Sequence, residues 1–141
     1  MFIKKIMRKY LFVVIAVSLF QSISSQEITK KVTLLWDTSY SMIDRSLDND
    51  LNYLNEYFLK NSNSQVNLIK FSNDIILNQF YSVRNSSWLD LKKELQNTTY
   101  DGSTNYNKLI ISESDEVLLF SDGYSYDTEL PNINIPFLVI S

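Results

Sequence analysis

The chain has 141 residues, with 13 basic and 16 acidic side chains and a formal net charge of −3. It contains neither cysteine nor histidine, which excludes disulfide bonds, histidine-dependent catalysis and histidine-ligated zinc. The groups that remain for holding a hard metal ion are oxygen atoms.

The first 25 residues are predicted to be a secretory signal peptide. Residues 4–9 carry four basic side chains, residues 11–20 form an apolar run of ten, and small polar residues follow up to Gln26. This order is typical of a signal that is cleaved, here near residues 24–26. Ten apolar residues are about half of the ~20 needed to span a bilayer, so an uncleaved anchor is the less favoured interpretation. We therefore expect an exported protein: periplasmic, cell-surface or secreted.

The rest of the chain is acidic. It keeps 9 of the 13 basic residues and all 16 acidic residues, which gives a net charge of −7. Binding of nucleic acid or anionic lipid requires clustered lysine and arginine, so neither is expected as a partner. Contact with a membrane is expected only through an uncleaved signal or through domains further along the chain.

The first elements of the domain are a strand and a helix. Val32–Trp36 is a near-continuous apolar run, as in a strand buried on both faces of a parallel sheet. Apolar residues then recur at intervals of four, three and four from Leu47 to Phe58, which predicts an amphipathic helix. Asp44 or Ser46 is the candidate cap.

The later segments continue this alternation. A second strand is predicted at 66–71, and the hairpin-like Ser72–Asp74 predicts that a third strand, Ile75–Tyr81, runs antiparallel to it. The elements that follow are a helix at Ser86–Gln96 capped by Ser86 or Ser87, a short helix carrying Tyr106, Leu109 and Ile110, a fourth strand within Glu116–Gly123 and a fifth within Ile135–Ser141. Strands that alternate with amphipathic helices predict an α/β fold with helices on both faces of the sheet, and tryptophans 36 and 88 are expected in its core. The domain is expected to span residues 30–141 and to be incomplete, because the chain stops within an apolar strand.

Oxygen-bearing side chains follow the predicted strand ends. Asp37 ends the first strand and Asp122 ends the fourth, and these strands are expected to be neighbours, so both carboxylates lie on the rim where ligands bind in parallel sheets. Two facing carboxylates repel each other unless a cation lies between them. Ser39, Ser41 and Thr104 add hydroxyl groups, and this oxygen set suits Mg²⁺, or less selectively Mn²⁺ or Ca²⁺.

Both glycines of the chain fall in these loops. Gly102 precedes the Ser103-Thr104 pair, and Gly123 follows Asp122. Glycine readily adopts a positive φ angle and permits a close backbone approach. We therefore predict that both loops need one of these two properties.

The three loops resemble a known site. "DTSYS", "DGSTN" and "LLFSDG" are similar, in order and spacing, to the loops of the metal-ion-dependent adhesion site of von Willebrand factor A domains. That family's five ligand positions are matched by Asp37, Ser39, Ser41, Thr104 and Asp122. Tyr40 and Ser103 stand where the family often has glycine, and the family's C-terminal helix and sixth strand are missing.

The resemblance implies a Rossmann-like, doubly wound, mostly parallel sheet with an antiparallel edge strand. It also implies that Ser39 and Ser41 bind the metal directly, Thr104 directly or through water, and Asp37 and Asp122 largely through water and hydrogen bonds. Such an ion would accept an aspartate or glutamate of a protein partner as its last ligand. The implied function is a metal-dependent protein-binding, or adhesion, module.

Two other functions stay open. One is a metal-assisted phosphate-ester hydrolase, and the other is a structural domain of this type that no longer binds metal. A phosphotransferase of the aspartyl-phosphate type needs a second acid two residues after its nucleophile, where this chain has Ser39. A serine hydrolase needs a base near its nucleophile, and Lys30 and Lys31 lie at the far end of the first strand. We therefore expect that the protein is not an enzyme.

Overall fold

The computed structural model describes residues 29–125, 130 and 134–141. These residues form a five-stranded sheet with the order β3-β2-β1-β4-β5. The strands are β1 (Lys30–Asp37), β2 (Ser64–Phe71), β3 (Ile75–Val83), β4 (Glu116–Phe120) and β5 (Phe137–Ile140). All neighbours are parallel except β3, which runs antiparallel to β2. The predicted fold class and the predicted antiparallel edge strand are therefore confirmed.

The central strand β1 lies between β2 and β4. It is buried continuously from Val32 to Asp37, because elements cover both faces of the sheet. Trp36 pairs with Phe120 of β4, and their rings lie 4.9 Å apart. The prediction that the first and fourth strands are neighbours is confirmed.

Both α-helices cover one face of the sheet, so the prediction of helices on both faces is wrong for the α-helices of the described residues. The two helices are α1 (Leu47–Lys60) and α2 (Leu89–Gln96). Ser46 caps α1, since its side chain accepts a hydrogen bond from the amide of Asn49. The buried cluster on this face consists of Val32, Leu34, Trp36, Leu51, Leu54, Phe58, Val66, Leu68, Val83, Trp88, Leu91, Leu95, Leu118 and Phe120. Both tryptophans thus lie in the core, as predicted.

The opposite face is covered by a single 3₁₀ turn, Tyr106–Lys108, and the chain beside it. Its core consists of Leu35, Ile69, Phe71, Tyr106, Leu109, Val117 and Leu119. The predicted helix through Ile110 is wrong in its extent, because the turn ends at Lys108 and Ile110 is 82% exposed. A single turn is enough to bury both Tyr106 and Leu109, because these two apolar residues are three positions apart.

The second helix also begins later than predicted. It starts at Leu89, and Trp88 at its N-cap makes no side-chain capping bond. Asn85 and Ser86 have φ angles of 50° and 64°, and Arg84 pairs with Ser87 in an antiparallel bridge. The two serines proposed as caps therefore belong to a turn after β3.

Some predictions concern residues outside those that the structure describes. The signal peptide at residues 1–25 falls there, and so do residues 126–129 and 131–133 of the connector between β4 and β5. Within the described ranges, no helix is long and apolar enough to cross a membrane.

Candidate metal centre

The candidate site lies at the carboxyl ends of β1 and β4. The strand order changes direction between these two strands, and this is where open α/β sheets form their binding crevice. The pairing of Trp36 with Phe120 places Asp37, the last residue of β1, level with Ser121. Three loops meet here: loop A (37–41), loop B (101–105) and loop C (121–125).

Asp37 lies at the base of the site and is fully buried. Its Oδ1 accepts a hydrogen bond from the amide of Ser39 at 2.9 Å. Its Oδ2 accepts hydrogen bonds from the hydroxyl groups of Ser121, at 2.7 Å, and Thr104, at 3.0 Å. A buried carboxylate needs such partners because it has lost its water. Three donors therefore fix the orientation of this side chain.

Above Asp37 the hydroxyl oxygens form a cluster. Ser39 Oγ lies 3.0 Å from Thr104 Oγ1 and 3.2 Å from Ser41 Oγ. Ser39 and Thr104 are buried, whereas Ser41 is exposed. These three side chains line a cavity of about 180 Å³ together with Gly102, Ser103 and Tyr124. The volume of one water in the liquid is about 30 Å³, so the cavity has room for several.

Loops A and B are joined through their backbones. The amide of Tyr40 donates to the carbonyl of Gly102 at 2.9 Å, and the amide of Asp101 donates to the carbonyl of Thr38 at 2.8 Å. Gly102 has a φ of +80°, and a Cβ there would lie 3.0 Å from the Asn73 side chain. The predicted positive φ and close approach are both confirmed at this glycine.

Loop C places Asp122 at the rim. This side chain is exposed, and its Oδ1 accepts a hydrogen bond from the amide of Tyr124 at 2.9 Å. Gly123 has the predicted positive φ, at +77°. Tyr124 lines the cavity and is 81% exposed, and Tyr40 in loop A is 65% exposed. Two exposed tyrosines therefore stand near the opening.

Four of the five predicted ligands are linked by hydrogen bonds, and the fifth is not. The four are Asp37, Ser39, Ser41 and Thr104. Across the described residues, no side-chain hydrogen bond joins Asp122 to any of them. Asp122 nevertheless adjoins Ser121, which contacts Asp37. The negative charges of Asp37 and Asp122 both act to raise the pKa of the Tyr106 hydroxyl.

Sequence reasoning missed three residues that build the site. Ser121 bonds to Asp37, Tyr106 bonds to Ser121 at 3.0 Å, and Asn73 accepts bonds from the amide and hydroxyl of Ser103 at 2.7 Å. Burial raises the pKa of Tyr106. Strand alternation could have found Ser121, because residues 117, 119 and 121 share the face of Asp37. No sequence signal points to Asn73.

Two other features bear on metal binding. Among the described residues, no group of three or more histidine, cysteine, aspartate or glutamate side chains could hold a metal. A larger cavity, of about 610 Å³, lies around Ser64 and Arg84 at the opposite end of the sheet. Among the described residues that line this cavity, Arg84 is the single charged side chain and none is a carboxylate.

Comparison with protein-family models and with curated protein sequences gives no match to this chain. Among solved structures, it is similar to a serine-substituted variant of an aerotolerance-related membrane protein from Bacteroides fragilis, at 16% identity over 70% of this chain with a TM-score of 0.48. It is also similar to a point mutant of the PilB minor pilin from Streptococcus sanguinis, at 18% identity over 72% of this chain with a TM-score of 0.44. The chain spans 57% of the length of the first and 32% of the second. The fold class rests on the sheet itself.

Proposed function

We propose that this chain is an exported protein-binding module of the von Willebrand factor A type that depends on a divalent cation. The observation that carries the proposal is the cluster of Ser39, Ser41 and Thr104 hydroxyl groups above the buried carboxylate of Asp37. The cluster faces a cavity at the point where the strand order changes direction.

The spacing of the hydroxyl oxygens suits a small hard cation. Ligands of octahedral Mg²⁺ lie about 2.1 Å from the ion, which places neighbouring ligands about 3.0 Å apart. The distances from Ser39 Oγ are 3.0 Å to Thr104 and 3.2 Å to Ser41. The same spacing suits hydrogen bonds in the absence of an ion. The spacing is therefore compatible with Mg²⁺, and the donor chemistry supports it, with Mn²⁺ and Ca²⁺ as less selective alternatives.

The five residues have different roles in this proposal. Ser39 and Ser41 would hold the ion directly, Thr104 directly or through water, and Asp37 and Asp122 would supply negative charge through water and hydrogen bonds. When bound, the ion supplies a ligand position for an aspartate or glutamate of a protein partner. Neutral hydroxyl ligands leave most of the ion's charge available for that carboxylate.

Calorimetric titration of the purified protein with Mg²⁺ and Mn²⁺ tests the cation. We expect one ion per chain, and binding at least ten-fold weaker in Ser39→Ala. Ser103→Ala is the matched control, because this serine lines the same cavity but its hydroxyl donates to Asn73. Absence of binding heat in the wild-type protein would refute the proposal. Equal losses in the two serine variants would place the ion elsewhere.

We also propose that the module is not an enzyme. The side chains that line the cavity belong to three serines, one threonine and one tyrosine. None of these residue types is ordinarily a base at neutral pH. The test is hydrolysis of a generic phosphate ester in the presence of Mn²⁺. Turnover that disappears in Ser39→Ala would favour the hydrolase instead.

A further inference from the structure

The side chain of Ser121 joins loop C to the rest of the site. Loops A and B share two backbone hydrogen bonds and the contacts of Thr104 with Asp37 and Ser39. Loop C has no such backbone bond to either loop among the described residues. The Ser121 side chain joins loop C to loop A, because Ser121 Oγ donates a hydrogen bond to Asp37 Oδ2 at 2.7 Å.

The Ser121 hydroxyl is fully used by its neighbours. A hydroxyl group has one proton to donate and two lone pairs to accept with. The amide of Gly123 donates to Ser121 Oγ at 3.2 Å. The Tyr106 hydroxyl lies 3.0 Å away, and it acts as the donor because Ser121 gives its own proton to Asp37. The hydrogen bonds therefore form a series in which Tyr106 donates to Ser121 and Ser121 donates to Asp37. The amide of Gly123 also donates to Ser121, the central member of the series.

We infer that Ser121 and Tyr106 are positioning residues of the cation site, which fix loop C, and with it Asp122, relative to Asp37. The inference rests on the proposed function. Because Ser121, Asp37 and Tyr106 are all buried, water does not replace the hydrogen bonds among them when the Ser121 hydroxyl is removed. Loss of the Ser121 hydroxyl releases the Gly123 amide and removes one of the two donors that hold Asp37 Oδ2. The carboxylate of Asp122, at the rim, is then no longer held in a fixed position relative to Asp37.

The Tyr106 hydroxyl can be removed without removing the ring. The ring packs against Phe71, with centroids 5.7 Å apart, and this contact persists in Tyr106→Phe. Tyr57→Phe is the matched control, because it deletes a hydroxyl that bonds to Glu116 at the start of β4, at the opposite end of the sheet. A purely structural role would change the stability of either variant and leave cation affinity alone.

The test combines Mn²⁺ calorimetry with amide hydrogen exchange of the metal-free protein. Outer hydrogen-bonding partners of metal ligands contribute 10–100-fold to affinity, so we expect about ten-fold weaker binding in Ser121→Ala. Tyr106→Phe is expected to weaken binding about three-fold and Tyr57→Phe to leave it unchanged. The Gly123 amide should exchange faster in Ser121→Ala than in the wild type.

The possible outcomes separate the two proposals. Equal Mn²⁺ affinity in wild type, Ser121→Ala and Tyr106→Phe would overturn the positioning role and leave the proposed function standing. Unchanged exchange at Gly123 in Ser121→Ala would also overturn it. Absence of Mn²⁺ binding in the wild-type protein would overturn both proposals.

Discussion

Gly102 and Gly123 share a backbone conformation but not an environment. Their φ angles are +80° and +77°, a region in which side chains with a Cβ are strained. A Cβ at Gly102 would also lie 3.0 Å from Asn73, whereas a Cβ at Gly123 would meet nothing within 4 Å. Loop B is therefore constrained twice, by its own backbone and by its neighbour.

This difference predicts unequal costs of the same substitution. Gly123→Ala should lower the free energy of unfolding by about 1 kcal/mol, from backbone strain alone. Gly102→Ala should cost about 1 kcal/mol more, because Asn73 must move and its bonds to Ser103 weaken. Urea denaturation of both variants measures the difference. Equal losses would show that Asn73 does not constrain loop B.

At the scale of elements, a buried ion pair connects loop A to α1. A 3₁₀ helix, Tyr40–Asp44, overlaps the end of loop A and is followed by Arg45 at its C-cap. The Nη2 atom of Arg45 lies 2.7 Å from Asp50 Oδ1 in α1. Both side chains are largely buried, at 15% and 7% exposure. Burial raises the pKa of Asp50, and the hydrogen bond and charge of Arg45 oppose this effect. The raised pKa indicates that desolvation of the carboxylate outweighs the attraction to Arg45.

We therefore expect a non-additive pair of substitutions. Asp50→Leu alone should lower the free energy of unfolding by about 3 kcal/mol, because it leaves the Arg45 charge buried without its partner. Replacing both residues with apolar side chains, Arg45→Met with Asp50→Leu, should restore most of this loss. A double-mutant cycle by chemical denaturation measures the coupling. Additive losses would contradict this account of the ion pair.

A second polar network joins β1, α1 and β4 at the opposite end of the sheet. Lys30 Nζ and the Tyr57 hydroxyl both lie 2.6 Å from Glu116 Oε2. Burial alone would raise the pKa of Glu116, but hydrogen bonds from Lys30 and Tyr57 and the charge of Lys30 lower it below 4.5. Since the folded state favours the ionised form, this carboxylate stabilises the fold above about pH 4.5, and the contribution is lost as the pH falls through the folded pKa.

We expect the difference in the free energy of unfolding between wild type and Glu116→Gln to depend on pH. The free energy of unfolding of wild type should exceed that of Glu116→Gln above about pH 4.5, and the gap should narrow as the pH falls further. Glu113→Gln serves as the control, because the Glu113 side chain is 90% exposed in its contact with Lys31. Denaturant unfolding at a series of pH values measures the free-energy difference between wild type and each of the two variants. A gap that widens in acid would contradict the assigned direction.

The sequence predicted these elements unevenly, for physical reasons. The near-continuous burial of β1 and the spacing of α1 were visible because strand and helix periodicities are strong signals. The start of α2 was not, because Ser86 and Ser87 suit a turn as well as a cap. Asp37 and its hydroxyl neighbours were found as ligand types at strand ends. Ser121 was missed because its role depends on which residue lies level with it in β1.

At the scale of the whole molecule, the predicted secreted portion has a net charge of −7 and a site built around a buried carboxylate. A cation that binds the folded state alone stabilises it, by about 2.7 kcal/mol at a concentration 100 times its Kd. Mg²⁺ should therefore raise the thermal midpoint of the wild type and leave that of Asp37→Asn unchanged. Calorimetry with and without EDTA measures the shift. An equal shift in both proteins would indicate binding away from Asp37.

The central claim is that the hydroxyl cluster above Asp37 holds a divalent cation. The most direct test is a crystal structure of the protein grown with Mn²⁺, with anomalous diffraction collected to locate the ion. The account predicts one strong peak in contact with the hydroxyl oxygens of Ser39 and Ser41, within reach of Asp122. A cavity without such a peak at saturating Mn²⁺ would contradict it.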